Sequence, residues 1–261
     1  MLKVAIGGAS GHMGQMLING IAESQDMELV GAFCHKEALN GQPVEKCPAV
    51  SFCSDIQKLK ECGAQVFIDF SRPDGTIAAL PICKEMGIPV VIGTTGFTAE
   101  QQEIISQTAK SIPVVLGANM STGVNVAMCI LSQMARALPD YDCEIVEMHH
   151  NRKVDAPSGT AIEMGRVVAE ARGEKFEDVA VLARQGHTGP RKKGTIGFAA
   201  LRGGDVVGDH RVIFAGKGER IEIAHLSSSR EGYAQGALTA ARFLQGKQPG
   251  LYSMFNVLGL K

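Results

Sequence analysis

The chain has 261 residues, of which 45% are hydrophobic and 20% charged, and its formal net charge is −1 at pH 7. This composition is typical of a globular protein with one large domain or two modest ones. Aromatic residues make up 5% and Trp is absent, so nucleic-acid binding is not expected. The seven cysteines show no Cys-x-x-Cys spacing, which favours reduced thiols in a cytoplasmic protein. The sequence shows neither a signal peptide nor a long apolar run, so no membrane association is expected.

Short apolar runs alternate with helical segments in the first half of the chain. Strands are predicted at 2–8, 27–34, 64–71, 88–96 and 112–121, and helices at 13–24 and 98–111. The apolar runs are rich in branched residues and have no polar face, as strands buried in a parallel sheet are. The alternation therefore predicts an α/β fold that starts with a Rossmann-type parallel sheet.

The pattern changes after residue 121. A long helix at 122–138 leads to a strand at 143–150, and another helix follows at 158–172. Three strand-like runs then come in close succession, at 194–203, 205–216 and 219–228. Their short glycine-containing links have hairpin lengths, so we expect an α+β domain with a mixed, largely antiparallel sheet. The predicted domains are 1–121 and 122–230, with the segment 231–261 packing back on the first.

A glycine-rich turn separates the first strand from the first helix. In GGASGHMG, Gly8, Gly11 and Gly14 follow a G-x-x-G-x-x-G spacing. Small residues here allow the backbone to approach a pyrophosphate at the positive end of a helix. The strand–turn–helix–strand context predicts a dinucleotide site formed by Gly8, Ala9, Ser10, Gly11, His12 and Met13. The alternative is a tight turn that binds nothing.

The end of the second strand bears on the choice of cofactor. An acid about 20 residues after the glycines would hold the ribose hydroxyls of NADH. The sequence FCHKEA has His35 and Lys36 there instead, followed by Glu37. A cation favours the 2′-phosphate of NADPH, so we expect NADPH to be preferred and NADH to remain usable. The alternative is that Lys36 is simply solvated.

Titratable residues crowd the stretch EMHHNRKVDAPSGTA, residues 147–161. Alternation along the strand places His149 and His150 on opposite faces. The spacing of nearby acids does not suggest zinc, so no metal site is predicted. For each histidine, the alternative to a functional role is a structural one.

The helix after these histidines predicts an anion site. Ser158 is the expected N-cap and Gly173 the expected C′ residue. The first N–H groups of the helix, from Gly159 and Thr160, would then point towards a ligand beside Lys153. A proton donor next to a carboxylate receptor suits the reduction of an acidic substrate.

Seven segments, in order, resemble the 4-hydroxy-tetrahydrodipicolinate reductase (dihydrodipicolinate reductase) family. They are VAIGGASGHMG, FIDFSRPDGT, VIGTTGF, GANMSTGVN, HHNRKVDAPSGTA, GHTGPRKKGTIGFAALRGGDVVGDH and GERIEIAHLSSSRE. The resemblance covers nearly the whole chain. It implies a dinucleotide-binding domain and a substrate-binding domain whose sheet builds a homotetramer. It also implies NAD(P)H-dependent reduction of a cyclic imine dicarboxylate in lysine and diaminopimelate biosynthesis.

The resemblance also implies roles for individual residues. His149 corresponds to the catalytic acid, which protonates ring C3 after hydride adds at C4, and Lys153 to the catalytic lysine. The corresponding substrate contacts are His150, Gly159 and Thr160. The corresponding cofactor contacts are Gly93, Thr94, Thr95, Ala118, Asn119, Met120 and Arg230. Many relatives have Glu-Arg where this chain has His35-Lys36, and the missing acid favours NADPH.

Two other functions stay open on the residues alone. Another dehydrogenase of similar build, acting on aspartate or a sugar, would share the glycine turn but not the HHNRK–PSGT cluster. A nucleotide-sensing module would bind the cofactor without turnover. Oxidation of NADPH in the presence of the cyclic substrate distinguishes the three hypotheses.

Overall fold

The chain divides into two compact units in the computed structural model, which describes residues 1–260. The first unit comprises Met1–Thr122 and the chain from Arg230 onwards, and the second comprises Gly123–Ser229. Every helix among the described residues is too short or too polar to cross a membrane. All seven cysteines are free thiols.

The first unit is built on an eight-stranded sheet. Its strands are β1 (Leu2–Gly7), β2 (Met27–Phe33), β3 (Pro43–Val44), β4 (Cys47–Cys53), β5 (Val66–Asp69), β6 (Val90–Ile92), β7 (Pro113–Leu116) and β13 (Gly250–Tyr252). They are ordered β13-β7-β6-β5-β1-β2-β4-β3, with every neighbouring pair parallel except β3–β4. The predicted Rossmann-type parallel sheet is therefore confirmed. The short strands β3 and β13 carry too few apolar residues to be recognised by pattern.

Helices cover the buried strands of this sheet. They are α1 (His12–Ala22), α2 (Pro73–Met86), α3 (Ala99–Ala109), α7 (Glu231–Phe243) and α8 (Met254–Leu258). Leu17 and Ile18 of α1 pack with Ala237 and Leu238 of α7 in one core cluster. Strand β5 is buried at every position, as a strand covered on both faces must be.

The second unit contains a mixed five-stranded sheet. Its strands are β8 (Asp142–His149), β9 (Ala180–Val181), β10 (Ile196–Arg202), β11 (Gly208–Ala215) and β12 (Arg220–Ser227). Its helices are α5 (Gly159–Ala171), α6 (Phe176–Val179) and α4 (Thr122–Ala137), which begins at the boundary between the units. The strand order is β12-β11-β8-β10-β9, so the predicted mixed sheet is confirmed.

The hairpin predicted between β10 and β11 is wrong. Strand β8 lies between them, parallel to β10 and antiparallel to β11. The link 203–207 instead crosses the end of β8, where Gly203 N–H donates to His149 O at 2.9 Å and His150 N–H donates to Val206 O at 2.7 Å. A short link is compatible with a hairpin and with a crossing over the end of a third strand, so link length alone does not determine which strands pair. The hairpin predicted between β11 and β12 is confirmed.

Helix α5 begins and ends as its sequence predicts. Ser158 is the N-cap, and its Oγ accepts a hydrogen bond from Ala161 N–H at 3.2 Å. Gly173 has φ +73°, a left-handed conformation that favours glycine. The helix packs on β8 and β11, so its first turn lies near the end of β8.

Candidate active site

The glycine turn after β1 approaches neighbouring backbone closely. Gly8 has φ +75°, and a Cβ there would lie 2.4 Å from Phe70 O. A Cβ on Gly14 would lie 2.3 Å from Gly8 O. Neither position has room for a side chain. The N-cap of α1 is Gly11, which offers no side-chain oxygen, so the first N–H groups of the helix suit an anionic group.

Two N–H groups of this turn have partners already. Ala9 N–H donates to Phe33 O at 2.9 Å, and Gly11 N–H donates to Gly8 O at 2.9 Å. Ala9 is completely buried. Among the six turn residues predicted to bind the cofactor, these two therefore shape the turn. The other four are Gly8 and Ser10, which line the cavity described next, and His12 and Met13, which begin α1.

A cavity of about 470 Å³ extends from this turn along the carboxyl ends of β2 and β5. His35 and Lys36 line it, as does Arg72, which sequence reasoning missed. Arg72 follows β5 in FIDFSRPDGT, and the carboxyl ends of parallel strands form the ligand-binding edge of such sheets. The lining also includes one acid of this edge, Asp74, which accepts a hydrogen bond from Gln101 Nε2 at 3.0 Å.

The loop Gly93–Thr95 is anchored to a buried carboxyl group. Thr94 Oγ1 donates to Asp69 Oδ2 at 3.0 Å, and Gly93 N–H donates to Asp69 O at 2.9 Å. Asp69 is 1% exposed, and burial raises its pKa despite a further hydrogen bond from Thr76. This anchor fixes the loop beside the cavity, because Asp69 also lines the cavity wall.

The remaining predicted cofactor contacts lie elsewhere in the first unit. Met120 is 2% exposed and belongs to the hydrophobic core, so only its backbone could meet a ligand. Asn119 Oδ1 accepts from Ser121 N–H at 2.9 Å, and Ala118 precedes it on the same loop. Arg230 is exposed at the N-cap of α7 and is absent from the described lining of the cavity.

The end of β8 carries a buried histidine–carboxylate pair. Burial alternates along the strand, which puts Glu147 and His149 on the same face. His149 is 8% exposed, and its Nδ1 lies 2.6 Å from Glu147 Oε2. Burial alone would raise the pKa of Glu147, but hydrogen bonds from Arg202 and His149 hold it below its usual value. The ionised carboxylate can only accept, so Nδ1 of His149 carries a proton and Nε2 is directed away from Glu147.

His210 on β11 completes the cluster. Its Nε2 lies 2.9 Å from Ser158 Oγ, and its ring meets that of His149 edge to face. Burial, and then the charge of His149, lower the pKa of His210 to about 4. His210 is therefore neutral near pH 7. The charge of Lys153 contributes to this shift, which places Lys153 close to the same cluster.

The predicted anion site borders this cluster. Lys153 Nζ lies 2.7 Å from Asp155 Oδ1, and Lys153 N–H donates to His150 O at 3.1 Å. A Cβ on Gly159 would meet no atom within 4 Å, so the start of α5 faces open space. His149, Lys153 and the first turn of α5 thus share one region of the second unit. Glu147, Arg202 and His210 were not predicted, although Glu147 shares the strand face of His149.

Comparison with known proteins identifies the family. Residues 2–120 match the family described as dihydrodipicolinate reductase, N-terminus, and residues 123–258 match dihydrodipicolinate reductase, C-terminus. The chain belongs to the dihydrodipicolinate reductase family. The predicted resemblance is therefore confirmed. Among the described residues of this member, no cluster of three or more His, Cys, Asp or Glu side chains could hold a metal ion.

Relatives in the dihydrodipicolinate reductase family match over their full length. The 4-hydroxy-tetrahydrodipicolinate reductase of Polynucleobacter necessarius subsp. necessarius is 50% identical over 266 residues, covering 100% of both chains. That of Nitrosomonas eutropha is 47% identical over 271 residues, covering 100% of this chain and 99% of the relative. The solved structure of dipicolinate-bound dihydrodipicolinate reductase from Paenisporosarcina sp. TG-14 is 26% identical, with a TM-score of 0.82 over 98% of each chain.

Proposed function

We propose that this chain reduces 4-hydroxy-tetrahydrodipicolinate, through dihydrodipicolinate, to tetrahydrodipicolinate with NAD(P)H in diaminopimelate and lysine biosynthesis. The observation that carries the proposal is 50% identity over full length to a reductase with that name. The buried pair of Glu147 and His149 supports it, because this reduction needs a proton donor besides the hydride. The alternatives of another dehydrogenase or a nucleotide sensor lack comparable support.

The glycine turn is proposed to hold the pyrophosphate of the cofactor. Gly8 and Gly14 leave no space for a Cβ, and the first N–H groups of α1 provide positive dipole ends. Gly93, Thr94 and Thr95 are proposed to contact the nicotinamide end, with Ala118 and the backbone of Asn119 and Met120. When bound, the nicotinamide ring supplies the hydride.

His149 is proposed to donate the proton from Nε2. Its Nδ1 is held by Glu147, so only Nε2 is available to the substrate. An imidazole exchanges protons near neutral pH, and a positioned general acid contributes about 10²–10⁴-fold to rate. Once the ring has lost its hydroxyl group as water, this proton and the hydride that a bound cofactor would supply would together saturate one carbon–carbon double bond, and the cofactor would be oxidised as the ring is reduced.

Lys153 and the first turn of α5 are proposed to bind a ring carboxylate. Lys153 supplies a charge, and the N–H groups of Gly159 and Thr160 supply the positive end of the helix. The exposure of Gly159 leaves room for the ligand. His150 is proposed as a further substrate contact. Fixing the carboxylate orients the ring against the proton donor.

NADPH is proposed as the favoured cofactor, with NADH still usable. His35, Lys36 and Arg72 line the cavity at the end where the adenosine ribose would lie. Glu37 is absent from the described lining, and its carboxylate accepts a hydrogen bond from Ser54 Oγ at 3.1 Å. Lys36 and Arg72 therefore face one exposed acid, Asp74, at this edge, because the other lining acid, Asp69, is buried with a raised pKa. No role follows for the exposed Arg230 from its position, and its proposed contact with the cofactor rests on the family resemblance.

The mixed sheet is proposed to assemble four copies of the chain in the cytoplasm. Leu201, Ile221 and Leu226 of β10 and β12 are 46%, 47% and 64% exposed. Exposed apolar side chains on strands of one sheet favour burial against another subunit, and β12 is an edge strand with unpaired backbone groups. Light scattering behind size exclusion measures the mass, which we expect to be that of a tetramer.

The experiment that tests the function is oxidation of NADPH with the freshly generated cyclic substrate, followed at the nicotinamide absorbance. We expect turnover in the wild type and a loss of roughly 10²-fold or more in kcat for His149→Gln, with cofactor affinity unchanged. Replacement of His150 should mainly raise the substrate KM. Cofactor binding without turnover in the wild type would contradict the proposed function and favour a sensor.

A further inference from the structure

We propose that Glu147 is a positioning residue that fixes the tautomer of His149 and ties this proton donor to the first turn of α5. The role in catalysis rests on the proposed function, whereas the tautomer of His149 is a property of the protein alone. Glu147 does not face a ligand, since it is 1% exposed.

The carboxylate of Glu147 accepts four hydrogen bonds. Oε2 receives Arg202 Nη1 at 2.8 Å and lies 2.6 Å from His149 Nδ1. Oε1 receives Arg202 Nη2 at 2.8 Å and Ser158 N–H at 3.0 Å. A carboxylate offers about four lone-pair sites, so this group is saturated. One side chain therefore joins the proton donor on β8, the N-cap of α5 and the end of β10.

Three of the four donors cannot change roles. The guanidinium of Arg202 stays protonated, and the Ser158 N–H belongs to the backbone. Only His149 can exchange a donor for an acceptor, by moving its proton from Nδ1 to Nε2. A side chain at position 147 that presents an N–H group to Nδ1 would therefore favour the tautomer of His149 that carries its proton on Nε2.

An amide at position 147 makes the prediction specific. In Glu147→Gln, the NH₂ group would face two fixed donors at the Oε1 position but only one, Arg202 Nη1, at the Oε2 position. It is therefore favoured at the Oε2 position, beside His149. There it donates to Nδ1 and selects the neutral form that carries its proton on Nε2. Loss of a proton from that form would leave an imidazolate, which makes it a poor acid. In the wild type, loss of the Nε2 proton from the imidazolium leaves the stable neutral Nδ1–H form.

Other charged and titratable groups also surround His149. From β8 it meets Glu147, from β11 His210, and from β10 Arg202, through the shared carboxylate. Lys153 and Asp155 lie on the segment between β8 and α5, and the charge of Lys153 is felt at His210. In this cluster, Glu147 is the acid bonded directly to the His149 ring. Its removal should therefore leave Nδ1–H of His149 without its acceptor.

The test uses a matched pair of variants on the same strand. Glu147→Gln changes the proposed residue, and Glu144→Gln is the control. Glu144 is also paired with two arginines, Arg184 and Arg191, at 2.7 and 2.9 Å, and none of its hydrogen bonds reaches His149. Both substitutions break arginine pairs on β8, so a purely structural effect would appear in both. Glu147→Asp, which retains the carboxylate, is the conservative variant.

The first readout is the ¹⁵N spectrum of histidine-labelled protein without ligands, with His149 assigned by difference from His149→Gln. We expect neutral His149 to be the Nδ1–H form in the wild type and in Glu144→Gln, and the Nε2–H form in Glu147→Gln. An Nε2–H form in the wild type would overturn the proposal, and this result needs no variant to fold. An unchanged Nδ1–H form in folded Glu147→Gln would also overturn it.

The second readout is steady-state kinetics across pH. We expect Glu147→Gln to lower kcat by roughly 10²-fold and to move the alkaline limb of kcat/KM to lower pH. Glu147→Asp should recover part of kcat, and Glu144→Gln should match the wild type. Equal losses in the two glutamine variants would refute the catalytic role of Glu147. A wild type without turnover would instead contradict the proposed function, while the tautomer result would still decide the positioning role.

Discussion

The imidazole rings of His149 and His210 lie edge to face, with their centroids 5.1 Å apart and an interplanar angle of 77°. Burial and the charge of His149 lower the pKa of His210 to about 4. His210 is thus kept neutral near pH 7, whereas His149 is held at Nδ1 by the carboxylate of Glu147. Opposite environments of this kind allow two like groups to take different roles.

The first prediction is that acid destabilises the fold through His210. The pKa of His210 is about 4 in the folded protein, against an ordinary value of 6.5, so the unfolded chain binds more protons between these limits. The contribution of His210 to the free energy of unfolding is therefore fully present above pH 6.5 and is lost as the pH falls towards 4. As the pH falls from 7 to 5, the free energy of unfolding should decrease by about 2 kcal/mol because of His210. Urea denaturation at fixed protein concentration measures this.

The control for this prediction is His210→Gln, which keeps a hydrogen-bonding side chain near Ser158 but does not titrate. We expect its stability to depend less steeply on pH over the same range. Identical slopes in the two proteins would show that His210 is not the group responsible.

The second prediction is that Gly208 must lack a side chain for His149 to work. A Cβ at position 208 would lie 3.0 Å from His149 Nε2, the atom proposed to face the substrate. We expect Gly208→Ala to displace the ring and to lower kcat by about tenfold or more, because small misplacements of a catalytic group are costly. Gly203→Ala, at the other end of the same link, meets only the flexible methyl end of Met148 at 3.2 Å. Similar kinetics for the two variants would disprove the steric effect.

The third prediction concerns the carboxylate receptor. Asp155 accepts a hydrogen bond from Lys153, which is the main reason that the pKa of Asp155 is lowered. We expect Lys153→Ala to raise the substrate KM by about 10- to 100-fold, since a charge-assisted hydrogen bond contributes about 1.5–3 kcal/mol. Asp155→Asn removes the competing acid and should leave KM unchanged or lower it. A raised KM in Asp155→Asn, or a normal one in Lys153→Ala, would place the carboxylate elsewhere.

Local patterns in the sequence were sufficient to predict the parallel sheet, the glycine turn and the caps of α5. The turn and the caps depend on residues close together in the chain, such as Ser158 and Ala161, and the parallel sheet was indicated by the alternation of strands and helices. The position of β8 between β10 and β11 depends on pairing across the sheet, so link length alone gave the wrong hairpin.

The same limit applies to the site. His149 and Lys153 lie on one short segment, and their spacing drew attention to them. The groups that hold His149 come from far along the chain, since Arg202 is 55 residues from Glu147 and His210 is 52 from Ser158. Among these groups, only the carboxylate of Glu147 could have been predicted from the sequence, because residues two apart on a strand share a face.

The last prediction concerns the choice of cofactor. Lys36 and Arg72 line the cavity, whereas Glu37 is bonded to Ser54. The cations are exposed, so their gain with a 2′-phosphate is on the order of 1 kcal/mol, which is a several-fold preference for NADPH.

Lys36→Ala should raise the KM for NADPH several-fold and leave NADH almost unchanged, and the preference should shrink as salt rises. Lys46→Ala is the control, because this exposed lysine is absent from the described lining. Arg72→Ala should affect NADPH alone if Arg72 meets the phosphate, and both cofactors if it meets the adenine. A wild type that prefers NADH, or equal effects of Lys36→Ala on both cofactors, would refute the assignment of Lys36 to the 2′-phosphate.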